Sequence, residues 1–311
     1  MKSNSQPIKV LYVMGCSRCG STILDSIMGA HPDAIGLGEL EKYPAVRDSL
    51  NDYCGCGVLV QECPFWEEVC ARWMQQVNGT LAEFESLARR YCRLRQLPRL
   101  LVVGEQKSIR FRRYSEYICA MFQTVAQVSG ASIFIDSSKN PARALALRRV
   151  KGIDIRLLHL VRDPRGVAAS LLKSWARDPA AGIQSDLEGR PARQAAKAWN
   201  LSGRLSDLVG RCYAPKTCMR IQYESILNNT AESIRSIGHL LNVDYTDVGL
   251  SVASGEAVEI GHVVAGNRLR MLGSTSLKTK DNWPEVLGDD DRRMVERICG
   301  RRMHKYGYGL T

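Results

Sequence analysis

A short glycine-bounded segment near the beginning of the chain is typical of an anion-binding loop. Residues 15–22 read Gly-Cys-Ser-Arg-Cys-Gly-Ser-Thr, after an apolar run at residues 8–14 and before an apolar stretch with helical character at residues 23–28. A loop between a strand and a helix points several backbone N–H groups at one site, and the helix N-terminus adds partial positive charge. The segment therefore predicts a phosphate-binding loop.

The loop has the spacing of a Walker A sequence but lacks its lysine. Gly15 and Gly20 are separated by four residues, and Ser21 stands where a Walker A loop carries Lys. In ATPases and kinases that lysine binds the β- and γ-phosphates, so its absence removes their charged clamp. An adenosine phosphate of another kind still fits the loop.

Polar residues also follow the other predicted strands, which lie at residues 34–37, 131–135, 155–161 and 218–222. In an open parallel sheet, ligands bind beyond the carboxyl ends of the strands. Cations and a carboxylate at several such ends together favour a binding site over ordinary helix capping. In chain order, the strand-end candidates are Arg18, Glu39, Glu41, Asp136, Lys139, Arg162, Asp163, Tyr223 and Glu224.

Arg162 is followed eight residues later by Ser170. This places a guanidinium at a strand end and a hydroxyl on the following helix, a pair that can hold a second phosphate. Taken alone, an Arg-Asp-Pro sequence at a strand end is more often a salt-bridged turn than a phosphate site.

The elements that must position these residues alternate between strand and helix. Helical periodicity at residues 141–150, 164–176 and 225–241 follows the predicted strands, which indicates an α/β fold. We predict a P-loop-like open parallel sheet flanked by helices, in a single domain over residues 1–311. Residues 41–129 are expected to form a helical cap insertion, with helices at 65–74, 81–95 and 114–128, and residues 178–190 a surface loop at the substrate entrance.

Lys and Arg number 43 against 32 Asp and Glu, a net charge of +11. This favours anionic small molecules, acidic polymers or nucleic acid as partners. The basic residues form no dense run of the kind found in nucleic-acid-binding tails, so we expect no nucleic acid partner.

The sequence lacks a run of about eighteen apolar residues and an apolar N-terminal signal, which predicts no membrane span and a cytoplasmic location.

Four of the eleven cysteines lie close together in sequence, at positions 54, 56, 63 and 70. Their spacing is not that of a usual zinc knuckle, and a zinc ion, a disulfide and unlinked structural thiols all remain open. Cys119, Cys212, Cys218 and Cys299 lie singly in apolar surroundings and are expected in the core. None of the five histidines is assigned a catalytic role, and His262 is the one to test because it lies close to Gly266.

The chain resembles the sulfotransferases that use 3′-phosphoadenosine 5′-phosphosulfate. Residues 15–22 are similar to the 5′-phosphosulfate loop of that family, and residues 160–170 to its 3′-phosphate strand and helix. Residues 222–224 are similar to the segment with the tyrosine near the adenine, and residues 266–270 with 281–283 to the C-terminal loop that closes over the 3′-phosphate. The resemblance implies the following donor-binding residues: Gly15, Ser17, Arg18, Cys19, Gly20, Ser21, Thr22, Arg162, Ser170, Tyr223, Arg268 and Arg270.

The catalytic positions resemble those of the protein-tyrosine sulfotransferases within an otherwise bacterial type of sequence. His31-Pro32-Asp33, Gly38-Glu39 and Lys139-Asn140-Pro141 have counterparts there. The resemblance implies Glu39 as the catalytic base and Lys139 with Arg18 as the groups that stabilise the leaving phosphate. Cys16 and Cys19 replace the Pro and Ser or Thr usual in the loop, and the register of Glu39 is one residue longer, which leaves Glu41 as an alternative base.

These residue types fit sulfuryl transfer to a hydroxyl or amine of an acceptor, a small molecule, carbohydrate or lipid. A carboxylate can accept the proton, and Arg and Lys can stabilise the leaving oxygen with no metal required. A P-loop kinase or NTPase is the alternative enzyme, with Lys139 turned into the phosphate site and Asp136 as its metal carboxylate. A non-catalytic polyanion-binding module is the third possibility.

Overall fold

A computed structural model describes residues 7–49, 52–102, 108–178, 186–277 and 283–310 of the chain. Its centre is a five-stranded parallel sheet with the order β2-β3-β1-β4-β5. The fold is therefore α/β, and every predicted strand is present. The strands are β1 (Ile8–Gly15), β2 (Ala34–Gly36), β3 (Ile133–Lys139), β4 (Ile153–Val161) and β5 (Cys218–Gln222).

Strand β3 is longer than predicted at its carboxyl end. Asp136 to Lys139 belong to the strand and do not follow it. Tyr12 of β1 pairs with Asp136, and Met14 pairs with Lys139, so β3 carries one extra residue there. Such a bulge re-aims side chains at the end of a strand. Asp136 can lie in this buried strand because its carboxylate forms an ion pair with the buried guanidinium of Arg143.

Helices cover both faces of the sheet. The predicted helix at residues 164–176 ends at Leu172, and that at 225–241 is two helices broken at Asn229. The helices are α1 (Ser21–Gly29), α2 (Tyr43–Arg47), α3 (Pro64–Val77), α4 (Leu81–Cys92), α5 (Leu97–Val102), α6 (Ile109–Ser129), α7 (Pro141–Leu147), α8 (Pro164–Leu172), α9 (Ala192–Gly210), α10 (Tyr223–Asn228), α11 (Thr230–Leu241), α12 (Thr246–Ala253), α13 (Trp283–Val286) and α14 (Asp289–Lys305).

The segment between β2 and β3 contains helices α2 to α6, and its core is aromatic. Trp73 contacts Phe84 and Tyr117 edge-on, with ring centroids 4.8 and 6.0 Å apart. The Trp73 indole N–H donates to the Tyr117 carbonyl at 2.8 Å, so its one polar group is paired. This core is continuous with the sheet face that carries Val10 and Tyr12.

The other sheet face packs Leu11 and Val13 against α1 and α11, while α8, α9 and α14 enclose a third apolar cluster. A two-stranded antiparallel ribbon is formed by β6 (Val258–Glu259) and β7 (Ser274–Thr275).

Of the loop predicted at 178–190, residues 179–185 lie outside the described residues. Among the helices in the described part of the chain, none is both long and apolar enough to cross a membrane.

Candidate active site

The carboxyl ends of the five parallel strands lie at one edge of the sheet, as expected for a ligand site. The predicted anion-binding loop leaves β1 there and enters α1 through Gly20, which has a φ of 95°. A Cβ atom on Gly20 would lie 2.4 Å from the Tyr223 ring. Gly20 is thus required by both backbone conformation and the close approach of Tyr223.

Glu39 lies at this edge and is 7% exposed. Its carboxylate pairs with Lys139 at 2.5 Å and with Lys42 at 2.6 Å, and its backbone N–H donates to the Val264 carbonyl. Burial alone would raise the pKa of Glu39, but the two lysines outweigh burial and lower it. Glu39 is therefore a buried, ionised carboxylate.

Lys139 connects this carboxylate to the anion-binding loop. Its ammonium donates to Glu39, to the Ser21 hydroxyl at 3.2 Å and to the Ser137 carbonyl at 3.2 Å. Its backbone is left-handed, with a φ of 67°, directly after the β3 bulge. The bulge therefore turns the Lys139 side chain toward the loop, where the Walker A lysine is missing.

Four guanidinium groups come together around the loop. Burial, followed by repulsion from Arg268, Arg190 and Arg162, lowers the pKa of Arg18, while Glu39 opposes this shift. Arg162 donates to the Arg18 carbonyl at 2.9 Å and lies over the Tyr223 ring, 5.0 Å from its centroid. Like charges brought together in this way favour the binding of an anion.

The cavity beside the loop has a volume of about 340 Å³. Gly15 and Ser17 line it on one side, and α8 and α9 line it on the other. Ser170 is half-buried on α8, next to Leu171 of the cavity wall. The cavity volume is within the range found for small-molecule pockets.

Residues 266–270 of the loop predicted to close over the site do approach it, whereas residues 281–282 of that prediction lie outside the described residues. The two arginines of residues 266–270 differ in position. Gly266 packs on Thr22 and Glu39, and the Asn267 N–H donates to the Thr22 hydroxyl at 3.2 Å. The Arg268 guanidinium lies 3.8 Å from the Trp175 ring centroid, at the mouth of the site. Arg270 is buried and donates to the Tyr53 and Gly266 carbonyls, inside the loop.

Three carboxylates proposed from the sequence are held in other networks. Glu41 accepts a hydrogen bond from the Asn140 amide at 2.8 Å, and Asn140 caps α7. Asp136 is inaccessible to solvent and forms a two-nitrogen ion pair with Arg143 at 2.8 to 3.0 Å. Asp163 caps α8 and pairs with Arg165 at 2.7 Å, as the turn interpretation predicts.

Several neighbours of the site have no sequence signal of their own. Lys42 pairs with Glu39, Arg190 faces Arg18, and Asp25 is buried under Gly38, whose N–H it accepts at 3.2 Å. Burial raises the pKa of Asp25 to about 8. A charged residue in an apolar helix could have marked Asp25 as a buried group, whereas Lys42 and Arg190 lie in polar segments.

The loop cysteines are both close to the anion-binding backbone. A hydrogen bond from Cys16 lowers the pKa of the buried Cys19 thiol to about 7, with burial opposing it and Lys139 assisting it. The positive site therefore acts on this thiol as well as on the loop N–H groups.

Comparison with known proteins identifies the family of the chain. The sulfotransferase family model matches residues 11–247, whereas no curated protein matches the chain by sequence. Among solved structures, the sulfotransferase domain from the curacin biosynthetic pathway has a TM-score of 0.56 at 16% identity, covering 99% of this chain and 100% of that one.

Two further structures have TM-scores below 0.5, so the fold likeness rests on the first. The sulfotransferase domain of the Synechococcus PCC 7002 olefin synthase is 18% identical over 96% of each chain, with a TM-score of 0.49. Sulfotransferase STF9 from Mycobacterium avium is 13% identical, with a TM-score of 0.45, over 98% of this chain and 78% of that one. Because the matched residues run from β1 through α11 and include the loop, Glu39, Lys139 and Arg162, the chain belongs to the sulfotransferase family.

Proposed function

We propose that this protein transfers the sulfuryl group of 3′-phosphoadenosine 5′-phosphosulfate to a hydroxyl or amine of an acceptor. The observation that carries the proposal is the position of Lys139, which joins Ser21 of the anion-binding loop to the buried carboxylate of Glu39. One cation thus lies between an anion cradle and a base. Family membership supports the same donor.

The charges around the loop suit a nucleotide with anions at two edges of its ribose. The loop residues 15–22 would hold the 5′-phosphosulfate, and Arg162 with Ser170 the 3′-phosphate. Tyr223, packed on Gly20, would lie near the adenine, and Arg268 at the site mouth would approach the 3′-phosphate. Arg270 would act indirectly, because it holds the closing loop from inside.

Glu39 is the better candidate for the catalytic base. A base must reach the acceptor hydroxyl, and Glu39 lies beside Lys139, whereas the Glu41 carboxylate is bound by Asn140. Lys139 and Arg18 would stabilise the charge that develops on the leaving phosphate. When Lys139 turns from Glu39 toward that oxygen, the pKa of Glu39 rises, so the carboxylate becomes a stronger base as the leaving group is stabilised.

Donor binding is tested by calorimetry with adenosine 3′,5′-bisphosphate in the presence of EDTA. We expect binding by the wild type and loss of most of it in Arg162→Ala. Arg293→Ala is the matched control, because it removes one positive charge from an exposed pair on α14. A preference for ATP with Mg²⁺ would contradict the proposal.

The alternatives are separated by the same measurements. A kinase or NTPase needs a free metal carboxylate, but the Asp136 candidate is engaged by buried Arg143. A polyanion-binding module would lose its ligand steeply as salt increases and would show no preference for the bisphosphate over other anions.

Acceptor specificity would depend on the helical segment 41–129 and on residues 178–190, which flank the site in sequence. Incubation of a cell extract with the enzyme and isotopically labelled donor should give a product that is heavier by one labelled sulfuryl unit. Glu39→Gln should form that product far more slowly, which tests the transfer step separately from donor binding.

A further inference from the structure

Three of the clustered cysteines meet a histidine that is about two hundred residues away in sequence. The Sγ atoms of Cys54, Cys56 and Cys63 and a ring nitrogen of His262 all lie within 4.8 Å of one another. Cys54 and Cys63 are buried, His262 is half-buried and Cys56 is exposed. Cys70, the fourth cysteine of the sequence cluster, is not part of this group.

Three of the six separations between these ligand atoms are close to the edges of a zinc tetrahedron. Zn–S bonds of about 2.3 Å and Zn–N bonds of about 2.0 Å give S···S edges of about 3.8 Å and S···N edges of about 3.5 Å. The Cys56 and Cys63 Sγ atoms are 3.6 Å apart, and His262 Nδ1 is 3.4 Å from the Cys63 Sγ and 3.7 Å from the Cys54 Sγ. No side chain would have to move far to bind an ion.

The surrounding structure orients the histidine and connects its segment to the cysteine segment. The His262 ring is stacked on Phe65, with centroids 4.5 Å apart and planes 9° from parallel. The Trp66 indole N–H donates to the His262 carbonyl at 2.9 Å, and the Gly55 N–H donates to the Val263 carbonyl at 2.9 Å. Both connections join the cysteine segment to the histidine segment independently of any ion, so the two segments that carry the donors are held close to each other.

A disulfide does not account for the arrangement. All eleven cysteines lie in the described part of the chain and are free. Pairing any two of the three would leave the third thiol and the oriented imidazole unexplained. The buried guanidinium of Arg270 lies close enough to Cys54 to add positive charge beside thiolate ligands.

We propose that Cys54, Cys56, Cys63 and His262 form a structural zinc site. Four protein ligands leave no open position, so the ion would hold segments together without taking part in sulfuryl transfer. The proposal does not rest on the proposed function, because it is argued from the four ligand side chains and their separations alone.

The segment that carries His262 leads directly to the candidate active site. Val264, two residues after His262, accepts the N–H of Glu39 at 2.9 Å and pairs with Gly38. Gly266 then packs on Glu39 and Thr22. A zinc ion at His262 would therefore fix the loop that covers Glu39.

The test is metal analysis of the purified full chain. We expect one zinc ion per chain, and replacement by Co²⁺ should give the visible bands of a tetrahedral site and thiolate-to-metal charge-transfer bands. Cys56→Ser and His262→Ala should each lose the bound zinc, while Cys70→Ala should keep it. Cys56→Ser is preferred to Cys54→Ser, because Cys56 is exposed and Cys54 is buried. Substitution of an exposed cysteine should leave the core packing unchanged, so zinc loss in Cys56→Ser would not result from misfolding.

Three results would overturn the proposal. They are a zinc-free protein whose Co²⁺ titration shows no thiolate charge transfer, a disulfide between two of the three cysteines after trapping with an alkylating agent, and zinc retention in His262→Ala. Bisphosphate binding measured on Cys56→Ser distinguishes this proposal from the functional one. If Cys56→Ser loses zinc but still binds the bisphosphate, the result supports the metal site and does not contradict the proposed donor site.

Discussion

At the scale of single residues, the candidate site contains unusual backbone conformations. Five described residues other than glycine have positive φ, and two of these are the asparagines 78 and 242 that end helices. The other three, Arg18, Lys139 and Ala265, all lie at the anion-binding loop or at Glu39. Such conformations cost about 1–3 kcal/mol each and persist where the surrounding structure imposes them. Their concentration here supports a preorganised site.

The two carboxylates after β2 should behave differently when neutralised. Glu39→Gln should lower the rate of sulfuryl transfer by about 10²–10⁴-fold, because the base is lost while the shape is kept. Glu41→Gln should change the rate much less, since its oxygen can still accept from Asn140. The measurement is the single-turnover rate with saturating donor, and a larger loss in Glu41→Gln would reverse the assignment.

Asp25 should make stability depend on pH. Burial raises its pKa to about 8 in the folded chain, against about 3.9 when unfolded. Between these values the folded state holds the extra proton, so the free energy of unfolding falls as pH rises from about 4 to 8. Asp25→Asn should remove this dependence and be more stable than the wild type near pH 8, by on the order of a few kcal/mol.

Thermal unfolding of wild type and Asp25→Asn between pH 5 and 8.5 checks this expectation. The difference between their melting temperatures should grow with pH. Asp290→Asn on the exposed end of α14 is the control and should follow the wild type. Parallel curves for wild type and Asp25→Asn would show that Asp25 is ionised in the folded protein.

At the scale of elements, the junction between β1 and α1 depends on one glycine. Gly20→Ala would place a Cβ atom 2.4 Å from the Tyr223 ring, in addition to the strain of a φ of 95°. We expect a loss of about 1–2 kcal/mol of stability from the left-handed backbone alone. Bisphosphate affinity should also fall, because the loop and Tyr223 must separate.

Gly152→Ala provides the matched control. Gly152 has a φ of 86°, but a Cβ atom there would meet no atom within 4 Å. It should share the backbone penalty and keep bisphosphate binding unchanged. Calorimetry of bisphosphate binding to both variants separates the effect of backbone strain from that of the clash with Tyr223. Equal bisphosphate affinities of Gly20→Ala and Gly152→Ala would show that the close approach of Tyr223 to Gly20 does not matter for binding.

At the scale of the whole molecule, Asp207 joins three elements around the third apolar cluster. This α9 carboxylate accepts from Arg220 of β5 at 2.8 Å, from Lys305 at 2.5 Å and from Arg302 and Tyr306. Burial would raise the pKa of Asp207, but Lys305, Tyr306 and Arg220 lower it. The C-terminal helix α14 is thereby fastened to the sheet.

Asp207→Ala should destabilise the fold by about 2 kcal/mol, because several cations would lose their common partner while Lys305 and Arg220 remain partly hydrated. Urea unfolding of Asp207→Ala measures this effect. Asp290→Ala, which breaks an exposed pair within α14, should be indistinguishable from the wild type. An equal effect of the two substitutions would show that the Asp207 network adds nothing to stability.

The amino-acid sequence alone determined the local elements and their polar ends. The five strands were predicted because buried parallel strands are continuous apolar runs, and residues such as Arg18, Glu39 and Arg162 were found because strand ends share one edge. The anion-binding loop is a local pattern, so its position required no knowledge of distant contacts.

Which polar residues meet depends on how distant segments pack in the folded chain. Asp136 and Lys139 follow the same apolar run, but a bulge sends one to the buried Arg143 and the other to Glu39. Likewise, His262 joins cysteines about two hundred positions earlier. Local periodicity carries no information on such pairings, because they arise from packing between segments that are remote along the chain.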